Sequence, residues 1–180
     1  MYTFYDLGSI FNKMFIRFLY IFIFLLIASS NSNADEGKTN ISLYTGQFDI
    51  TDDEGDDGTT LFGIEHRNTD LFRNTFLGKL SPVTGAFHTG KGSTYLYTGI
   101  EAQYNLGPLN ITPSFAPGYY EKGDGKDLGD VLEFKSELKI GLNISESSQI
   151  GYSYSHMSNN DWGTANPGSD NQSITFSKKF

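Results

Sequence analysis

The chain has 180 residues, no cysteine, 38% hydrophobic and 15% aromatic residues, and a formal net charge of −8. That length leaves room for one folded domain; the lack of cysteine excludes a disulfide framework, a Cys-based zinc site and a thiol nucleophile, and the acidic balance argues against nucleic acid, whose phosphates call for Lys and Arg. The aromatic residues are 15 Phe and 11 Tyr against one Trp, a composition that leans toward strands, so an all-β protein is expected.

At the N-terminus Lys13 and Arg17 precede the apolar run FLYIFIFLLIA from Phe18 to Ala28, which gives way to Ser29, Ser30 and Asn31. The run is shorter than the ~20 apolar residues a membrane-spanning helix needs, and small residues at Ser32 and Ala34 suit a signal peptidase acting before Asp35. Residues 1–34 therefore read as a cleavable signal peptide, with Met14 an alternative start. An uncleaved anchor is the competing reading. Removing Asp6, Lys13 and Arg17 with the leader takes the net charge from −8 to −9. The exported domain is then 35–180.

Downstream, runs beginning near Ile41, Thr59, Thr75, Thr94, Leu109, Val131, Gln149 and Asn171 have the period-two alternation of strands. The clearest is Leu132 to Ile144. Leu132, Phe134, Leu138, Ile140, Leu142 and Ile144 share one parity, and Glu133, Lys135, Glu137, Lys139 and Asn143 the other. Successive side chains point to opposite faces, so one face is hydrocarbon and the other a ladder of charges. A soluble half-buried strand and a transmembrane barrel strand give the same pattern, and it alone does not choose between them. Eight strands of ~9 to 11 residues, however, fit the smallest transmembrane barrels. On that reading Thr51–Gly58, Lys122–Asp130 and Asn159–Ser169 are long loops of one end, and Asn105–Pro108 and Ser145–Ser148 are short turns of the other.

The final run places Ile174, Phe176 and Phe180 on one parity and ends on an aromatic residue, similar to the terminal strand of outer-membrane barrels; Lys178 departs from that pattern. In the run before it, Ile150, Tyr152, Tyr154, His156 and Ser158 share a parity, so His156 and Ser158 continue the row that should meet lipid. A loop of about ten residues leads to Asp170, whose parity matches Ile174 and Phe176. A hydroxyl is a poor nucleophile until a base takes its proton, and the base works best when an acid fixes its tautomer. Ser158, His156 and Asp170 could fill those roles. A solvated loop of ordinary turn residues fits the same spacing.

The segments DLG from Asp127, LEFKSEL from Leu132, GYSYSHMSN from Gly151 and NPGSD from Asn166, with the closing aromatic strand, resemble the lipid A 3-O-deacylase family, PagL-like proteins related to acyloxyacyl hydrolases. Tyr97–Ile100, Ile111–Phe115 and Gly118–Tyr120 extend the resemblance over most of the exported chain. It implies an eight-stranded outer-membrane β-barrel that hydrolyses the 3-position ester-linked acyl chain of lipid A in lipopolysaccharide, without a cofactor or metal, and it leaves a homodimer open. By motif, His156 matches the catalytic histidine and Ser158 the nucleophile. Asn159 matches the asparagine that follows the nucleophile, and Asn166 the one before Pro-Gly to which the resemblance assigns a part in the oxyanion hole. Two positions depart. Asp170 stands where the family has Glu, one methylene longer, and Asn160-Asp161 replaces a small Ala-Gly pair, setting a carboxylate where it would disfavour a developing oxyanion.

The acidic loop Asp52–Asp57 lacks the EF-hand spacing for Ca²⁺ and reads as a solvated charged loop. His66 and His88 have no partner at metal-ligand spacing and read as barrel or rim residues. Gly99 and Gly118, inside strands, read as sites of close packing. Competing functions are an inactive structural or adhesive barrel of the same fold, and a soluble exported barrel with its greasy row turned inward around an apolar ligand.

Overall fold

The computed structural model describes residues 39–50 and 58–180; the expected signal peptide and the acidic loop Asp52–Asp57 lie outside them. Ten strands follow in chain order: β1 (Thr39–Phe48), β2 (Thr59–Asn68), β3 (Arg73–Thr75), β4 (Gly78–Thr89), β5 (Thr94–Ala102), β6 (Tyr104–Leu106), β7 (Leu109–Glu121), β8 (Leu132–Asn143), β9 (Ser148–Ser158) and β10 (Ser169–Lys179). All pairings are antiparallel. The sheet runs β2-β1-β10-β9-β8-β7-β5-β4, and β4 pairs back onto β2, closing an eight-stranded barrel. The short β6 continues β5 along β7, and β3 forms a small hairpin with β4.

That hairpin corrects the sequence expectation. The run expected to begin near Thr75 ends a strand there, and the next barrel strand starts at Gly78. Gly78 has φ 95°, and the Thr75 hydroxyl accepts from the Leu77 amide at 3.1 Å while donating to the Gly78 carbonyl at 3.0 Å. A tight turn thus sits inside what reads as one extended segment.

The faces divide as the parity argument requires. Phe62, Ile64, Leu96, Leu138, Ile140 and Ile174 stand exposed on the outer wall. Apolar exposure on this scale is what the lipid-facing wall of a transmembrane barrel presents. The inner face is buried and filled. Tyr44 lies over Gly63, Tyr97 over Gly85 and Tyr95 over Gly118, where an added Cβ would overlap each ring. Large rings opposite glycines fill a narrow barrel so that it holds no channel. The charged ladder of β8 also points inward; Lys135, Glu137 and Lys139 are paired, whereas the fully buried Glu133 has no hydrogen-bond partner for either carboxyl oxygen. Lys139 Nζ lies 2.8 Å from Glu65 Oε1, Lys135 Nζ 3.0 Å from Glu137 Oε2, and Arg67 Nη1 2.6 Å from Glu101 Oε1. Tyr97 donates to Glu65 Oε2 at 2.9 Å. Within this network three acids and three bases cancel. At the C-terminal end Lys178, the unexpected cation of the outer row, turns its ammonium to the Ser147 hydroxyl in the short β8–β9 turn, at 3.0 Å.

Residues 49–50 and 58 and the loops 90–93, 122–131 and 159–168 share one end of the barrel. They are tied to one another: Lys126 Nζ lies 2.8 Å from Asp49 Oδ2, and the Thr164 amide donates to the Gly129 carbonyl at 3.3 Å. Lys122 and the Gly129 amide hold the exposed Asp127 carboxyl below the usual carboxylate range, so the contact survives mild acid.

Candidate active site

Near this end, register brings together residues from three strands. Asp170 of β10 lies directly opposite His156 of β9, and His156 directly opposite Ser136 of β8. All three are on the outward face. His156 Nδ1 is 2.9 Å from Asp170 Oδ1. An ionised carboxylate only accepts, so Nδ1 must carry the proton, leaving Nε2 free as a base. The ring is half exposed, and the acid beside it is 23% exposed. The Asp170 main chain is pinned as well, because its carbonyl accepts from the Ile50 amide at 2.8 Å. The shorter acid therefore reaches the ring because antiparallel register places it straight across, not diagonally.

Ser158 ends β9 on the same face, two residues beyond His156. At the rise of a strand that separates their Cα atoms by roughly 6.6 Å. No hydrogen bond joins the Ser158 hydroxyl to the ring among the described residues. Beside Ser158 across the ladder is Phe134, which stacks on Phe115 at 5.8 Å and meets the edge of Trp162 at 5.2 Å. The serine thus has an aromatic shelf on its β8 side and the imidazole along its own strand.

Gly168 closes the site from above. Its φ is 67°, and a Cβ there would come 3.1 Å from His156 Cε1 and 3.6 Å from Nε2. Glycine is required both for the backbone and for the space beside the ring. Sequence reasoning read this residue only as part of a motif.

Asn159 and Asn166 brace the loop. Asn159 is fully buried, and its Nδ2 donates to the Leu128 carbonyl at 2.8 Å and the Ala165 carbonyl at 2.7 Å. Its main-chain amide donates to Asn166 Oδ1 at 3.1 Å. All its donors are spent, so Asn159 clamps the β7–β8 loop to the β9–β10 loop. Asn166 Nδ2 donates one hydrogen to Asp161 Oδ1 at 3.1 Å, which leaves its second hydrogen. Asn160 and Asp161 have φ of 56° and 59°. The backbone there takes the left-handed form that glycine adopts most cheaply, which accounts physically for a small Ala-Gly pair in the resembling family.

His66 faces outward on β2, and His88 faces outward on β4 with Nδ1 2.8 Å from the Thr94 hydroxyl. Neither approaches the site. At Gly99 an added Cβ would lie 2.1 Å from the Phe115 carbonyl, so the close packing read for it is real.

A family model described as "Lipid A 3-O-deacylase (PagL)" matches residues 58–179. The chain belongs to the lipid A 3-O-deacylase (PagL) family. Among solved structures, the crystal structure of the outer membrane enzyme PagL is similar, with a TM-score of 0.61 at 16% identity, covering 78% of this chain and 99% of that one. A de novo designed transmembrane β-barrel aligns at TM-score 0.56 and 11% identity, covering 83% of this chain and all of its own. Neisserial surface protein A aligns at 0.53 and 9% identity, covering 82% of this chain and all of its own. No curated protein matches. At these identities the likeness establishes the fold, an outer-membrane β-barrel, and the family match spans every residue of the candidate site.

Proposed function

We propose that this barrel, exported by a cleaved signal peptide at residues 1–34, is an esterase of the outer membrane that removes the 3-position ester-linked acyl chain of lipid A. The observation that carries this reading is the outward-facing His156–Asp170 pair, with Ser158 on the same wall. A hydrolytic pair set among lipid-facing side chains serves a substrate that arrives laterally within the membrane. Ser158 Oγ attacks the ester carbonyl carbon and passes its proton to His156 Nε2. Asp170 holds Nδ1–H and stabilises the imidazolium. Nε2 then protonates the departing sugar oxygen, leaving the acyl group on Ser158, and a water activated by the same nitrogen releases the fatty acid. The serine–imidazole bond forms as the bound lipid excludes water, as is common for sites seen without substrate. Asn166 offers its remaining Nδ2 hydrogen to the oxyanion, and Asn159 supports the loop that presents it.

The shelf of Phe134, Phe115 and Trp162 gives the acyl chain an apolar bed on the β7–β8 side. The test is fatty-acid release from purified lipopolysaccharide by wild-type and Ser158→Ala protein, each shown to be folded by heat-modifiable gel mobility. Release by the wild type alone supports the reading, and equal release by both rejects it. The second reading, an inactive structural barrel, is favoured by the bond between Asp161 and Asn166 and by the open serine–imidazole gap. A folded wild type that releases nothing would establish it.

A further inference from the structure

The outward row of β8 is hydrocarbon except at one position. Leu132, Phe134, Leu138, Ile140 and Leu142 stand on the lipid-facing wall, and Ser136 interrupts them. Its side chain is exposed, and its hydroxyl has no hydrogen-bond partner among the described residues. A hydroxyl left unpaired against hydrocarbon costs free energy, so the position calls for a polar group brought by the lipid itself.

Barrel geometry decides which part of a lipid meets it. Followed through register partners around all eight strands, Met157 returns to β9 at Ser147, ten residues toward the short-turn end. Such a fall over eight strands tilts them by roughly 40°. At that tilt the outward residue beneath Ser158 along the barrel axis is neither its strand neighbour His156 nor its ladder partner Phe134. It is the diagonal one, Ser136, which lies opposite His156 and roughly 8 Å below Ser158. The next step down the same diagonal is Pro113, the partner of Leu138. Small side chains thus form a descending floor, with His156 and Leu138 on one side and Phe134 and Phe115 on the other. A lipid whose sugar lies at the long-loop end runs the chain held at Ser158 down this floor.

We propose that Ser136 sets specificity for the acyl chain, its hydroxyl pairing with a hydroxyl on the chain's third carbon, so that the site takes 3-hydroxyacyl esters in preference to unsubstituted ones. The proposal rests on the reading of Ser158 as the nucleophile toward a lipid ester. With C–C bonds of ~1.5 Å and an O–H···O bond of ~2.8 Å, a hydroxyl on that carbon spans the step from Ser158 to Ser136.

The experiment measures fatty-acid release from two synthetic glucosamine esters, one tetradecanoyl and one 3-hydroxytetradecanoyl at the 3-position, by proteins shown to be folded by heat-modifiable mobility. The wild type should cleave the hydroxylated ester with a kcat/KM about tenfold higher, the range of one neutral hydrogen bond. Ser136→Ala keeps the space and loses the hydroxyl. It should lower kcat/KM about tenfold on the hydroxylated ester and leave the plain ester within about twofold. Ser136→Leu fills the floor and should slow both esters by more than about tenfold. Tyr152→Phe removes an outward hydroxyl away from the floor, one that donates to Gln172 Oε1 at 3.0 Å, and should match the wild type on both. A wild type without preference, an equal loss on both esters in Ser136→Ala, or unimpaired cleavage by Ser136→Leu overturns the proposal. Ser158→Ala separates the two levels. If it cleaves either ester like the wild type, the underlying reading fails; if it is inactive while Ser136→Ala keeps the wild-type preference, only the role of Ser136 fails.

Discussion

Replacing Asp170 with Asn keeps the shape of the side chain and removes its charge, so it isolates what the carboxylate contributes. During attack His156 becomes an imidazolium whose Nδ1 lies 2.9 Å from Oδ1. At that separation two unit charges attract by about 6 kcal/mol at an effective dielectric of ~20 and by about 1.4 kcal/mol at ~80. A half-exposed ring beside an acid that is 23% exposed lies between these limits, at about 3 kcal/mol. Asp170→Asn is therefore expected to lower kcat by about 10²-fold. KM, set by how the lipid meets the wall, should move by less than about twofold. Initial rates of fatty-acid release from lipopolysaccharide in detergent micelles measure both, with heat-modifiable mobility confirming a folded barrel. A folded Asp170→Asn protein that keeps more than half the wild-type kcat refutes the role assigned to the acid.

Asp161→Gly removes a carboxylate from the oxyanion side, frees Asn166 Nδ2 and suits a φ of 59°; kcat should rise by roughly tenfold, and a fall would contradict that placement. Gly168→Ala sets a methyl group 3.1 Å from His156 Cε1 at a positive φ. It should cost about 1 kcal/mol of stability and reduce kcat more than the loss of folded protein explains, which urea titration and rates on one preparation decide. Glu65→Gln leaves Lys139 without its 2.8 Å partner inside the barrel. It should destabilise folding by about 3–5 kcal/mol, read from the urea midpoint, while folded molecules keep wild-type kcat because the site is on the opposite face of the wall.

Much of this fold was legible because a β-strand has only two faces. Alternation in Leu132–Ile144 separates a lipid-facing row from an inward charge ladder, and the same rule places His156, Ser158 and Asp170 outward. The β3–β4 turn was not legible, since Thr75 to Leu80 contains one glycine and, apart from Leu77, alternates like a strand. Nor could the bracing of the site be read. The meeting of His156 with Asp170 depends on which residues stand opposite each other across β9 and β10, and parity leaves that register open. The clamp by Asn159 depends on carbonyls of Leu128 and Ala165, in loops whose closing geometry no local pattern encodes. Gly168 had a readable signal in its place after Pro167, but its contact with the imidazole required the loop to be built.

The most direct measurement is the mass spectrum of lipid A from cells making the wild-type protein, the Ser158→Ala protein or neither. The wild type should yield a species lighter by one 3-linked hydroxyacyl chain, absent from the other two samples. The same lighter species with Ser158→Ala, or three identical spectra from cells in which the folded barrel is present in the outer membrane, would contradict an esterase built on Ser158, His156 and Asp170.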